Sequence, residues 1–413
     1  MKLTIVGGGT AGWLTALLFN KKNPDYEITV IDSSKIGILG AGEGTTPSFQ
    51  GILYELGINE LEFIKRTNAT IKDANHFVNW SPNESSFLHD FKDPSHSKLQ
   101  QDLYHGIHFD ARLVANYFKE IGIERGINHL DVNITHFSQK ENGDITKIHT
   151  EEGIDLNPDF VIDSTGFARL IIGKLYKSKW KSYSEYLNEN AAIAFFLPQN
   201  NELKFNTKTQ TQSVAMKCGW MWQAPLQHRW GCGYVYNDTF ISTEDAIKEV
   251  EEYVGQPIEV IKQFKFDAGS YKDTWINNCV ALGLSSGFLE PLEATSLMTL
   301  IISIYTLIEM GIENTNNTER YNEIIGDINY QSMLFIKHHY NCGRNDTPFW
   351  KHNLNSKQPE ALTDLYKVGI HNVKTNDELL RILNVKSNKM VFGLNNYSIV
   401  NLGHTNKTKK TLI

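Results

Sequence analysis

Glu290 and Glu293 stand three residues apart in the stretch 283–296, GLSSGFLEPLEATS, where a turn gives way to an apolar run starting at Leu297. The stretch sets a carboxylate, a turn and a helix start side by side. Thr295 and Ser296 fall where that helix begins, and capping is one reading of them. A second signal lies at the N-terminus. Lys2 to Val6 is a short apolar run, followed at once by Gly7, Gly8, Gly9, Thr10, Ala11 and Gly12, then by the apolar Trp13, Leu14, Ala16, Leu17 and Leu18. That is strand, glycine turn, helix. Glycine at 7, 9 and 12 permits a tight turn, lets backbone N–H groups approach a pyrophosphate, and lets helix and strand pack closely. The next apolar run, 27–31, ends in Asp32, twenty residues beyond Gly12, where a carboxylate accepts hydrogen bonds from a ribose. These features predict a bound dinucleotide.

Two later runs must return to that turn. Residues 159–166, DFVIDSTG, end in Asp163 and Gly166, and residues 278–283, NCVALG, lead into the acidic stretch. As parallel strands, both deliver their C-terminal ends to the ligand edge of a sheet. Between them, 191–197, 212–217 and 231–236 alternate or run apolar, which predicts an antiparallel sheet. Residues 241–255 and 297–340 read as helices, the second broken near Gly311 and at the Asn-rich 314–317. The last ten residues are polar and basic and read as frayed.

Composition bounds the rest. At 413 residues the chain holds a large core, and a net charge of −7 without a basic block argues against nucleic acid as a partner. Cys218, Cys232, Cys279 and Cys342 lie far apart with no CxxC pair, which argues against a disulfide framework or a metal site and points to a reducing cytoplasm. The N-terminus runs straight into the first strand, leaving no room for a signal peptide. The run 297–308 is too short to span a bilayer, so a buried helix and no membrane are expected.

Seven segments carry a resemblance: GEGTTP at 42–47, HFVNW at 76–80, HFDARLV at 108–114, ERGI at 124–127, GWMWQAP at 219–225, the stretch 283–296, and DTPFW at 346–350. In this order the chain resembles the flavin-dependent tryptophan halogenases. The resemblance implies an α/β fold: a Rossmann-like FAD-binding domain of the flavin monooxygenase type, an inserted antiparallel-sheet substrate region and a C-terminal helical part. On that reading 1–80 is the FAD-binding core, with 108–175 and 275–310 returning to it. Residues 81–107 are a short substrate-side connection, 176–274 the substrate sheet and 311–413 mainly helical.

The resemblance further implies that reduced FAD, supplied by a separate flavin reductase, and oxygen convert chloride, bromide or iodide to hypohalous acid, which travels through a tunnel to a small aromatic substrate. FAD contacts are implied at Gly7, Gly9, Thr10, Ala11, Gly12, Asp32, Ser33, Gly42, Glu43, Ile134, Asp163, Gly166, Leu284, Pro291 and Leu297. Halide is implied at the amides of Thr295 and Ser296, and a homodimer is the common assembly of relatives. Trp220, Trp222, Pro225 and Phe77 are assigned to the tunnel and substrate wall, although a W-x-W strand serves core packing equally well. Tyr397 sits where relatives place aromatic residues that grip an amino-acid group.

The family's catalytic pair is a lysine, which donates a hydrogen bond to the hypohalous oxygen, and a glutamate, which stabilises the ring cation and removes its proton. The glutamate falls on Glu293. The lysine position is read onto His76, an imidazole that titrates near neutrality, and Lys72, four residues earlier, is the alternative amine. Ala294 and Ser296 replace the usual serine and glycine. His89, His96 and His105 read as solvated loop residues without metal-ligand spacing. Three functions stay open: a halogenase acting on an indole or other electron-rich aromatic, an FAD monooxygenase that has lost the halide step, and a flavin-binding protein without turnover.

Overall fold

The computed structural model describes residues 1–37, 43–82, 86–91, 104–199 and 209–404. Gly42, His96 and the polar C-terminal tail beyond 404 lie outside the described residues. The apolar runs read from the sequence assemble into a six-stranded sheet in the order Trp275–Ile276, Cys279–Ala281, Phe160–Asp163, Lys2–Val6, Glu27–Asp32, Asn128–Asp131. Every pair is parallel except the terminal hairpin of the first two. The registers set Val6 beside Asp163 and Asp163 beside Ala281, so three strands end level at one edge. Both returning strands therefore arrive where the sequence placed them. The interior strands are buried on both faces, which explains their continuous apolar runs.

A seven-stranded sheet forms the second layer, in the order Val260–Lys265, Ala191–Pro198, Arg229–Tyr236, Gly219–Pro225, Gln210–Ala215, Ala74–Val78, Phe87–Asp90. It is antiparallel except where Gln210–Ala215 meets Ala74–Val78. The expected antiparallel sheet is present, and it recruits 74–78 from the segment assigned to the nucleotide core. Period-two alternation divides its side chains. Val78, Val214, Met221 and Tyr234 meet the helix Thr243–Val254, whereas Phe77, Trp220, Trp222 and Val235 meet the long helix Thr318–Tyr340 and the C-terminal helices.

The helices Thr295–Met310 and Thr318–Tyr340 are separated where the sequence breaks them: Gly311 at φ +74° ends the first, and the turn Thr315–Asn317 leads into the second. By length and composition alone the run Leu292–Met310 is apolar enough to cross a membrane, and more than half of it is buried here. Its buried face joins Leu14, Leu17 and Leu18 of the helix Thr10–Lys22 in the core beside the parallel sheet.

Candidate active site

At the ligand edge, Gly7 has φ +115° and a side chain there would meet the Ser164 carbonyl at 2.3 Å. A side chain on Gly12 would meet the Gly7 carbonyl at 1.8 Å, so the helix Thr10–Lys22 packs onto the first strand only with glycine there. Gly9 is different. It is the N-cap of that helix, offers no side-chain cap, and has nothing within 4 Å of its absent Cβ. Open space at an uncapped helix start fits a pyrophosphate. Thr10 and Ala11 form the first turn, and Ala11 lies 3.2 Å from the Cβ position of Gly283. The turn carrying Leu284 is thereby clamped against the glycine turn. Asp32 ends its strand and accepts from His129 Nε2 at 2.8 Å, with Ser33 next to it.

Ile134 opens a hairpin strand two residues beyond Val132, whose N–H donates to the Asp32 carbonyl at 2.9 Å. Gly166 has φ +63° and open space about its Cβ position. Asp163 departs from the expected cofactor contact. It is fully buried, and its carboxylate accepts from the N–H groups of Ile171 and Ile172 at 2.8 and 3.0 Å and from the Thr165 hydroxyl at 2.7 Å. That carboxylate holds the chain turn after the strand. Ser164, which the sequence did not single out, donates to the Val6 and Gly7 carbonyls, both at 2.9 Å. The residues present fit FAD, with the backbone of the glycine turn and Asp32 as the main holders.

The second centre lies between the layers. Glu293 has φ +59° and Ala294 φ +56°, two consecutive left-handed residues that aim the glutamate inward before the helix starts. Ala294 caps the helix without a side-chain bond, so the first-turn amides at Thr295, Ser296 and Leu297 form an anion-attracting end. Thr295 spends its hydroxyl on the Glu290 carbonyl at 3.2 Å, and Pro291 leads into the turn. Burial pushes the Glu293 carboxyl up, but His89 and His339 more than offset this and hold it well below the usual carboxylate range. Glu290 is the opposite case. Burial and the neighbouring Glu189 push it well up, and Tyr340 donates its hydroxyl to it. Two glutamates three residues apart are thus driven to different charge states.

Lys72, not His76, shares this space with Glu293. It ends the short strand Thr70–Lys72, is 1% exposed, and its ammonium lies 5.3 Å from the centre of the Phe91 ring. Burial brings its pKa down to about 8, with the Glu293 charge opposing the shift. A side chain on Gly44 would come within 3.1 Å of the Lys72 nitrogen, so the strand Glu43–Gly44 forms one wall. Glu43 itself is pushed up to about 7 by burial and by Asp110. His76 points the other way. Asn75 and Phe77 face Glu293 and His339, so alternation turns the residue between them to the Val78 side of the sheet. Burial there lowers its pKa, favouring neutral imidazole. The premise that positions 72 and 76 share a side of an extended strand fails because Asp73 interrupts it. The Asp73 N–H bonds Thr209 and its carbonyl bonds Phe91, leaving two separate strands.

Other expectations also change. His89 is 2% exposed, a central member of the site rather than a solvated loop residue, and His105 is buried with Glu60 and Gln50 as partners. Phe77 stacks on Phe87 at 4.8 Å and lies 4.9 Å from His339. Trp220 and Trp222 share a face 6.3 Å apart within the same aromatic core, and the Pro225 carbonyl accepts from Thr70 at 2.6 Å. Tyr397 is 1% exposed, packed on His338 and Phe335, so its ring fills the aromatic core rather than lining an open surface. Asn75, His339 and Asn396 carried no motif or spacing that marks them in the sequence. Among the described residues no cluster of three His, Cys, Asp or Glu is placed to hold a metal ion.

Comparison with known proteins gives the same answer from another direction. The sequence profile described as Tryptophan halogenase matches residues 2–101 and 92–410. Tryptophan 7-halogenase RebH of Lentzea aerocolonigenes is 28% identical over 89% of this chain and 82% of its own length. Tryptophan 6-halogenase ThaL of Streptomyces albogriseolus is 28% identical over 91% and 84%. The crystal structure of the tryptophan 6-halogenase SttH of Streptomyces toxytricini superposes with a TM-score of 0.88 at 25% identity, covering 98% of this chain and 90% of that one. A glycine turn built for a dinucleotide, a buried lysine and glutamate between the layers, and a profile match along nearly the whole length place the chain in the tryptophan halogenase family.

Proposed function

We propose that the chain halogenates an indole or a related electron-rich aromatic, with Lys72 and Glu293 as its catalytic pair. As a flavin-dependent halogenase it draws on reduced FAD from a separate reductase, on oxygen and on halide, and bound FAD supplies the oxidising power that converts halide to hypohalous acid. Gly7, Gly9, Gly12 and Asp32 would hold that cofactor. The first-turn amides at Thr295 and Ser296 suit the halide, since an uncapped helix start favours an anion.

One observation carries the assignment of the amine: Lys72 is fully buried and lies within electrostatic reach of Glu293, whose charge favours its ammonium form. Its ammonium donates a hydrogen bond to the hypohalous oxygen and polarises the halogen toward the ring. Glu293 stabilises the positive charge that grows on the ring in a water-poor site. The halide-independent monooxygenase reading drew on His76, Ala294 and Ser296, and the buried ammonium of Lys72 weakens the first of these grounds. Incubation of an indole and phenol panel with the protein, FAD, a flavin reductase, NADH, oxygen and each halide, with catalase present, tests this by mass spectrometry. A halogen isotope pattern lost in Lys72→Ala and Glu293→Gln supports the pair. Oxygenated product without halide dependence would overturn the reading.

A further inference from the structure

Glu293 is more fully bonded than a proton acceptor needs to be. Its Oε1 faces His89 Nδ1 at 2.5 Å and His339 Nε2 at 3.1 Å, and its Oε2 accepts from the Asn75 amide. Fixed partners settle where the protons are. The Gly393 N–H donates to Asn396 Oδ1 at 2.8 Å, which turns the Asn396 NH2 group to His89 Nε2 at 2.9 Å. An NH2 group only donates, so His89 accepts at Nε2 and carries its proton on Nδ1, toward Glu293. His339 Nδ1 lies 2.8 Å from the Phe335 carbonyl, which only accepts, so Nδ1 carries a proton, and an ionised Glu293 facing Nε2 at 3.1 Å requires a second proton there. A buried carboxylate ionised among those three partners is a weak base.

We propose that Glu293 acts as a fixed anion that stabilises the ring cation, that Lys72 takes the ring proton, and that His89 and His339 are positioning residues that hold Glu293 ionised. The proposal rests on the halogenation assigned above to Lys72 and Glu293. As the halogen passes to the ring, the halogen–oxygen bond breaks, the carbon–halogen bond forms, and the Lys72 ammonium protonates the departing hydroxide to water. Lys72 is then an amine. It takes the proton from the halogen-bearing carbon, the C–H electron pair restores the aromatic ring, and the ammonium is regenerated. The sum is arene plus hypohalous acid to haloarene plus water. Burial sets Lys72 at about 8, which suits both giving and retaking a proton near neutrality.

The groups facing this centre are Lys72 and His108 from the strands beside Gly44, His89 and Asn75 from the seven-stranded sheet, and His339 with His338 and His404 behind it. The test is single-turnover bromination of indole by the full chain with reduced FAD, oxygen and bromide from pH 4.5 to 9.5. Product is scored per flavin reoxidised. In the wild type the yield stays level down to pH 4.5 and falls above pH 8, by about tenfold per pH unit at the high end. In His339→Gln an acid limb enters the window.

A wild-type acid limb between pH 4.5 and 6 overturns the proposal, and that arm needs no variant to fold. The 15N spectrum of His339 at pH 8 is a second readout that needs no turnover. Both ring nitrogens protonated supports the proposal, and a bare Nε2 overturns it. Flavin reoxidation without bromoindole at any pH would sink the halogenation reading instead, while the spectrum still judges the state of Glu293.

Discussion

The glycine turn and the Lys72–Glu293 centre are built on different principles. In the turn, Gly7, Gly9, Gly12 and Asp32 are neighbours in sequence or joined by one helix, and the chemistry is done largely by backbone. In the second centre Lys72, Asn75, His89, Glu293 and His339 come from two sheets, a turn and a long helix, with Asn75 and Glu293 separated by 218 positions. A backbone site tolerates few residue types and announces itself. A side-chain site assembled at long range leaves little local trace, and each member is also an ordinary strand or helix residue.

Four substitutions test that contrast, beginning with the largest effect and its control on the same segment. Lys72→Ala should lower halogenated product by about a thousandfold, the scale of losing a transition-state donor, while FAD binding persists. His76→Ala, on the far face of the strand, should stay within about fivefold in the same mass-spectrometric assay. Near-wild-type product from Lys72→Ala would return the role to another residue. Gly12→Ala should cost about 3 kcal/mol of stability by denaturant unfolding, because the added methyl meets a carbonyl rather than a yielding side chain. Gly9→Ala should leave that stability unchanged and weaken FAD by about tenfold in a titration, since the open space is the ligand's.

Glu43→Gln probes the strand that links the two regions. The folded pKa of Glu43 is raised to about 7, so wild-type stability falls as pH climbs from the unfolded value toward 7 and the unfolded chain releases its proton first. The glutamine variant escapes this loss. It should be more stable than wild type by on the order of 2 kcal/mol at pH 8 and equal to it at pH 4.5, judged by thermal unfolding of the apoprotein. Tyr397→Phe should be the mildest, changing the KM for indole by less than about twofold. A larger change would restore the ring to the substrate site.

The halogenase motifs led to the correct family and marked Glu293 as its candidate glutamate, yet three assignments inside the site moved once packing was visible. His76 and Lys72 exchanged importance because Asp73 breaks the strand between them. His89 moved from solvent to the core because its strand pairs with Ala74–Val78, with Asn75 opposite His89 in register. Tyr397 moved inward because the helix Leu394–His404 docks against His338 and Phe335. Each change concerns which face of an element is covered, and that depends on partners distant in sequence.

The sequence by itself determined the dinucleotide turn, the returning strands, the helix start behind Glu293 and the family. These depend on backbone conformation and periodicity, which residues impose on their own neighbourhood. Only the tertiary structure decided which amine lies within electrostatic reach of Glu293, which histidines bond its carboxylate, and that burial and Glu189 push Glu290 beside it toward its neutral form. Charge state follows from burial and from donors a few ångströms away, and those donors are neighbours only after the two sheets and the helix Thr318–Tyr340 have packed together.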